Sequence, residues 1–237
     1  MRIIKNQLFP LSLKVFQLIV LYSLLIAFLA SCSSVRIRTS TAPVYEKTNT
    51  VASWYGPKFH GRPTSSGEIF NMYAMTCAHK EYPFGTRLKV TNMENNRSAE
   101  CVVNDRGPFV EGRDIDLSYA VAKEIGVIGP GVSRVMLETN GRDISYIRAV
   151  KVQTSERKGL FAIQVGAFTE SINAIQLKVS LRLKYTNVYV QETEANGETY
   201  YRVRVGNYQD YNTALSVAEQ LGQEGYPALL LRADVKI

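Results

Sequence analysis

Histidine and cysteine are scarce, with two and three residues among 237. Protein metal sites draw clustered ligands of these types at close spacing. Neither Cys77 nor Cys101 has a second cysteine at such a spacing, and His79, two residues from Cys77, stands without other partners. No metal and no cofactor is therefore expected. A strong charge of one sign is also missing. The formal net charge is +7, but Arg2, Lys5 and Lys14 precede the first apolar run and setting them aside leaves a mild surplus, so nucleic acid is not an expected partner. A hydrophobic run of spanning length is lacking too. The stretch from Val15 to Ala30 falls short of the ~20 residues a membrane-crossing helix needs and fits the core of a signal peptide, with a membrane anchor as the alternative.

That run ends in Leu29-Ala30-Ser31-Cys32, which resembles the lipobox of bacterial lipoproteins. The resemblance implies a signal peptide over 1–31 and acylation of Cys32 as the first mature residue. More than one acyl chain then holds the protein stably in a lipid bilayer. Ser33 after Cys32, by the enterobacterial sorting rule, favours the periplasmic face of the outer membrane. Residues 32–49 are small, polar and proline-containing and read as a tether. Cys77 and Cys101 remain as an even pair in an oxidising compartment, which permits a disulfide, two buried thiols being the alternative.

From 50 to 139 the chain shows short strand-like runs, "VASWYG", "RLKVTN", "SAECVVND" and "SRVMLE", separated by turn-forming Gly, Pro and Asn. Many short strands at close spacing suggest an all-β barrel or sandwich. One helix is expected after Asp116, with Leu117, Ala120, Val121 and Ile125 at helical spacing and Gly126 ending it. Residues 140–159 read as a linker, although the "AVKV" run within it has strand character. Residues 160–237 contain an internal repeat: "FAIQVGAF" matches "YRVRVGNY", and a helical pattern follows each. With "NVYVQE" and "ALLLRA" the order becomes βαββαβ, a ferredoxin-like α+β domain with its helices on one face of the sheet.

Strand alternation assigns the faces of that sheet. Phe161, Ile163, Val165, Val203 and Val205 point toward the helices, leaving Gln164, Arg202, Arg204, Tyr189 and Gln191 on the open side. An RNA platform of this topology needs several stacking aromatics, and only Tyr189 is present. The two repeated strands resemble those of the SPOR domain over Leu160–Ile237. The resemblance implies binding to peptidoglycan glycan strands lacking stem peptides, hence enrichment at the division septum with division-site proteins as further partners. It carries glycan contact onto Gln164, Arg202, Arg204 and Tyr189. An ordinary solvated sheet face is the alternative.

The first domain holds "ASWYGPKFHGRPTSSGEIFNM", "AHKEYPFGTRLKVTN", "NDRGPF" and "GRDIDLS". Together with the lipobox and the C-terminal repeat these resemble the rare lipoprotein A family. The resemblance implies a six-stranded double-psi β-barrel and endolytic transglycosylase activity that leaves 1,6-anhydromuramoyl ends. Cleaving a glycosidic bond requires a carboxylic acid that protonates the leaving oxygen, its pKa raised by burial or by a second carboxylate. Three acids lie beside motif turns, Glu68, Asp105 and Asp116. The expectation is Asp105 or Asp116 as general acid/base, Glu68 as a second acidic participant and His79 as an orienting group. Trp54, Tyr55 and Tyr82 offer flat surfaces to pyranose rings, and His60 is expected at the surface or in the groove. A non-catalytic, expansin-like glycan binder is the alternative function.

Overall fold

The computed structural model describes residues 47–233. The expected signal peptide, Cys32 and most of the tether lie outside that range. The N-terminal half is a closed barrel of six strands: β1 (Thr48–Trp54), β2 (Thr76–His79), β3 (Thr86–Asn92), β4 (Ser98–Asp105), β5 (Ile115–Leu117) and β6 (Val132–Arg142), in the spatial order β1-β5-β2-β4-β3-β6. β1 pairs in parallel with β5 and β2 with β4, and the other neighbours are antiparallel. This is the double-psi arrangement. Closure leaves no free sheet edge.

Alternation builds the barrel core. In β3, Leu88 and Val90 are buried while Arg87 and Lys89 face out, and β6 buries Val135 and Leu137 in the same way. Cys77 and Cys101 form a disulfide inside this core. Helix α1 (Tyr119–Glu124) begins later than the helical spacing suggested. Leu117 belongs to β5, because Ser118 caps the helix by accepting from Val121 N at 3.3 Å and so ends the strand before it.

The interval read as a linker is folded. β6 runs on to Arg142, a 3-10 turn covers Ile144–Tyr146, and the "AVKV" run supplies β7 (Lys151–Val152). The second domain follows as β8 (Phe161–Phe168), α2 (Ser171–Leu181), β9 (Val188–Ala195), β10 (Glu198–Tyr208), α3 (Tyr211–Gln223) and β11 (Leu229–Arg232). Its sheet order is β7-β11-β8-β10-β9. The last four strands are the ferredoxin-like set, and β7 adds a fifth, parallel to β11. Ala174, Leu177, Ala214, Ala218 and Leu221 bring the two helices onto one face of the sheet.

The two domains share a sealed seam. Arg106, buried at the end of β4, donates Nε to Tyr226 Oη at 2.6 Å and Nη1 to the Tyr82 carbonyl at 2.9 Å. Its guanidinium lies 3.7 Å from the centre of the Phe84 ring. Phe84 N donates to the Glu224 carbonyl at 3.0 Å. Gly225 is required at this contact: its φ is +97°, and a Cβ there would sit 2.9 Å from Phe84 Cβ, closer than packed carbons allow.

Candidate active site

Barrel closure brings four residues from distant parts of the sequence into one row. Ser53 on β1 pairs with Asp116 on β5, Asp116 pairs with Ala78 on β2, and Ala78 pairs with Asp105 on β4. Residues in register on neighbouring strands share a face, so Asp116 and Asp105 flank the small Ala78 side chain, two strand spacings apart, or ~10 Å between their backbones. Both carboxylates line a groove of about 650 Å³.

The two acids are held differently. Asp105 accepts from Tyr55 Oη at 3.0 Å, from Ser65 N at 2.8 Å and from Arg106 N at 2.7 Å. These donors fix the carboxylate's orientation. Asp116 accepts a hydrogen bond from Ser53 Oγ. Its pKa is raised, first by burial and further by the Asp105 charge, while the Ser53 bond and Arg113 act against the rise. Tyr55, half-buried beside both acids, has its phenol pushed well above its ordinary value by desolvation and by the two carboxylates. Between them the walls carry Trp54 and Arg113, the latter with a buried Nε that has no hydrogen-bond partner among the described residues. Phe168, Ile172, Asn173 and Gln176 of the second domain complete the lining.

Residues 47–137 match the family model described as lytic transglycolase, and residues 158–232 match the SPOR domain. The curated endolytic peptidoglycan transglycosylase RlpA of Vibrio cholerae is 35% identical over 181 residues, covering 76% of this chain and 67% of that protein. The chain belongs to the RlpA family. RlpA of Pasteurella multocida is 32% identical over 209 residues, covering 86% of this chain and 68% of that one. RlpA of Helicobacter pylori is 38% identical over 197 residues, covering 75% of this chain. The chain spans 62% of that relative's length. Among solved structures, the SPOR domain of Pseudomonas aeruginosa RlpA aligns with 31% of this chain and 99% of its own at 26% identity, with a TM-score of 0.28. A Clavibacter michiganensis expansin aligns with 70% of this chain and 81% of its own at 14% identity, with a TM-score of 0.34.

The other acid singled out in this RlpA-family sequence does not enter the groove. Glu68 Oε2 accepts from Asn104 Nδ2 at 2.7 Å and is also hydrogen-bonded to Tyr146. Because these partners hold it against β4 and the interdomain segment, Glu68 braces the 62–70 loop rather than facing Asp105 and Asp116. His79 lies beside Ala78 on β2 but is likewise absent from the lining. Its Nδ1 accepts from Glu81 N and Tyr82 N, both at 3.1 Å, and its ring stacks on Tyr82 at 3.9 Å. Burial, then the Arg106 charge, lowers its pKa to about 3, so the imidazole is neutral with its remaining proton on Nε2. Tyr82 is buried in that stack and offers no face to a sugar. His60 is exposed and accepts from Met72 N at 3.2 Å.

On the SPOR sheet, Arg204 pairs in register with Gln164 on one side and Tyr189 on the other, so it occupies the face expected for it. It is not exposed there. Arg204 is 0% accessible, and its three guanidinium nitrogens have no hydrogen-bond partner among the described residues. Alternation assigns the face of a strand residue but not its accessibility. Gln164, Tyr189, Arg202 and Gln191 keep partial exposure. Ser53, Ser65, Arg113 and the α2 residues had no signal in the sequence. Ser53 meets Asp116 only because β1 and β5, more than sixty residues apart, pair in parallel.

Proposed function

We propose that this protein is an endolytic peptidoglycan lytic transglycosylase with Asp116 as general acid/base and Asp105 as its charge partner. The observation that carries this reading is the pair of carboxylates flanking Ala78 in one groove, one raised in pKa by burial and the other locked by three donors. A raised carboxyl keeps its proton at higher pH and can deliver it to a glycosidic oxygen. As the bond between that oxygen and C1 of N-acetylmuramic acid breaks, Asp105 stabilises the positive charge that develops on the sugar. The C6 hydroxyl of the same sugar then attacks C1 and returns its proton to Asp116. The product is a 1,6-anhydro end, no water is consumed, and the acid is regenerated.

The SPOR domain directs the enzyme to strands without stem peptides at the septum, through Gln164, Arg202 and Tyr189. Acylation of Cys32 anchors it on the periplasmic face of the outer membrane. The test incubates the soluble chain from Ser33 with amidase-treated sacculi and identifies released ends by mass spectrometry. Anhydromuramic ends made by the native sequence and lost in Asp116→Asn support the proposal. Reducing ends point to a hydrolase, and retention on sacculi without cleavage points to an expansin-like binder. Loss of palmitate labelling in Cys32→Ala tests the anchor.

A further inference from the structure

We propose that helix α2 of the SPOR domain forms the second wall of the catalytic groove, with Asn173 and Gln176 binding the glycan held between Asp105 and Asp116. This rests on the transglycosylase reading and names a substrate contact at the same site. The SPOR domain then has two glycan surfaces, one on its sheet and one on this helix.

Four observations carry it. Asn173 and Gln176 line the same groove as the two carboxylates. They stand three residues apart on one side of α2, where side chains at that spacing are neighbours, beside the stripe of Ala174, Leu177 and Leu181 that is buried against the sheet. Neither amide has a hydrogen-bond partner among the described residues, yet each can both donate and accept, which matches sugar hydroxyls and N-acetyl groups. Phe168 and Ile172 flank them in the lining and supply apolar surface for the C–H face of a pyranose.

The wall is fixed in place rather than loosely apposed. Ser180, on the same helix, donates to the Lys80 carbonyl at 2.6 Å, and Lys184 just beyond it donates to the Glu81 carbonyl at 2.8 Å. Residues 80 and 81 follow directly on β2, whose Ala78 separates the two acids. The seam at Arg106 and Tyr226 locks the far end of the same interface. A groove edge held this way keeps its geometry when substrate enters, so little ordering cost opposes binding.

Trp54 is the sole tryptophan of the sequence and lines the groove, so its fluorescence reports occupancy there and not on the SPOR sheet. The experiment titrates the full-length chain, in detergent and carrying Asp116→Asn to stop turnover, with a peptide-free tetrasaccharide of alternating N-acetylglucosamine and N-acetylmuramic acid. Adding Asn173→Ala and Gln176→Ala together should weaken the Trp54-reported affinity by roughly tenfold, the effect of losing two modest hydrogen bonds. With Asp116 restored, KM should rise by a similar factor with kcat little changed. Ile175→Ala, on an exposed part of α2 outside the groove, should leave the titration unaltered. Equal affinity with and without the double substitution, or no Trp54 response to the tetrasaccharide, overturns the proposal. If binding weakens as expected but sacculi yield no anhydro ends, the cleavage reading fails and the α2 subsite stands. If cleavage occurs and the double variant binds normally, the reverse holds.

Discussion

Arg106, the residue immediately after Asp105, donates Nε to Tyr226 Oη at 2.6 Å across the domain seam. Removing that hydroxyl leaves a buried, charged donor without its acceptor. Tyr226→Phe should therefore destabilise the folded protein by about 1–3 kcal/mol. Urea unfolding of the two forms measures this, and an unchanged midpoint would mean that the seam does not persist in solution.

Asp116 should dominate the pH profile of cleavage. As the proposed general acid it can donate only while protonated, so activity should fall as pH rises through its elevated pKa. Ser53 donates to the ionised form and holds that pKa down. Ser53→Ala should accordingly move the alkaline limb of kcat to higher pH. Asp116→Asn should lower kcat by ~100-fold or more while the chain still unfolds cooperatively. A profile indifferent to Ser53 would assign the titration to another group.

A linkage effect of opposite sign is expected at His79. Its folded pKa lies near 3, below the ordinary 6.5, so between those values the unfolded chain binds more protons than the native one. Native stability should fall as pH drops through this window, by a contribution on the order of a few kcal/mol when complete. His79→Gln should flatten that part of the stability–pH curve in calorimetry. Retention of the full slope would place its origin in other groups.

The Cys77–Cys101 disulfide closes a loop of sequence separation 24 within the barrel core. Constraint of the unfolded chain by a loop of this size contributes about 3 kcal/mol. Unfolding in the presence of a reductant should show a loss of that order, and thiol titration of the denatured, unreduced protein should find neither cysteine free. Two titratable thiols would refute the bridge.

Local pattern alone was enough for the second domain's βαββαβ order and for the long barrel strands β3, β4 and β6, whereas the nomination of Glu68, Asp105 and Asp116 drew also on the family resemblance. The order and the strands depend on alternation, helical spacing or turn residues within a few positions, and those are properties of contiguous chain. β2 and β5, of four and three residues, are too short to show a period, yet they carry Ala78 and Asp116 into line with Ser53 and Asp105. Only closure of the barrel decided that Asp116 would be raised, that Glu68 would turn away to Asn104 and Tyr146, and that Tyr82 would cover His79. Only docking of the domains put α2 over the groove and Tyr226 on Arg106. These are contacts between residues tens to more than a hundred positions apart. The sequence carries the side chains that make them, but pairing register and burial set which ones meet and how each titrates.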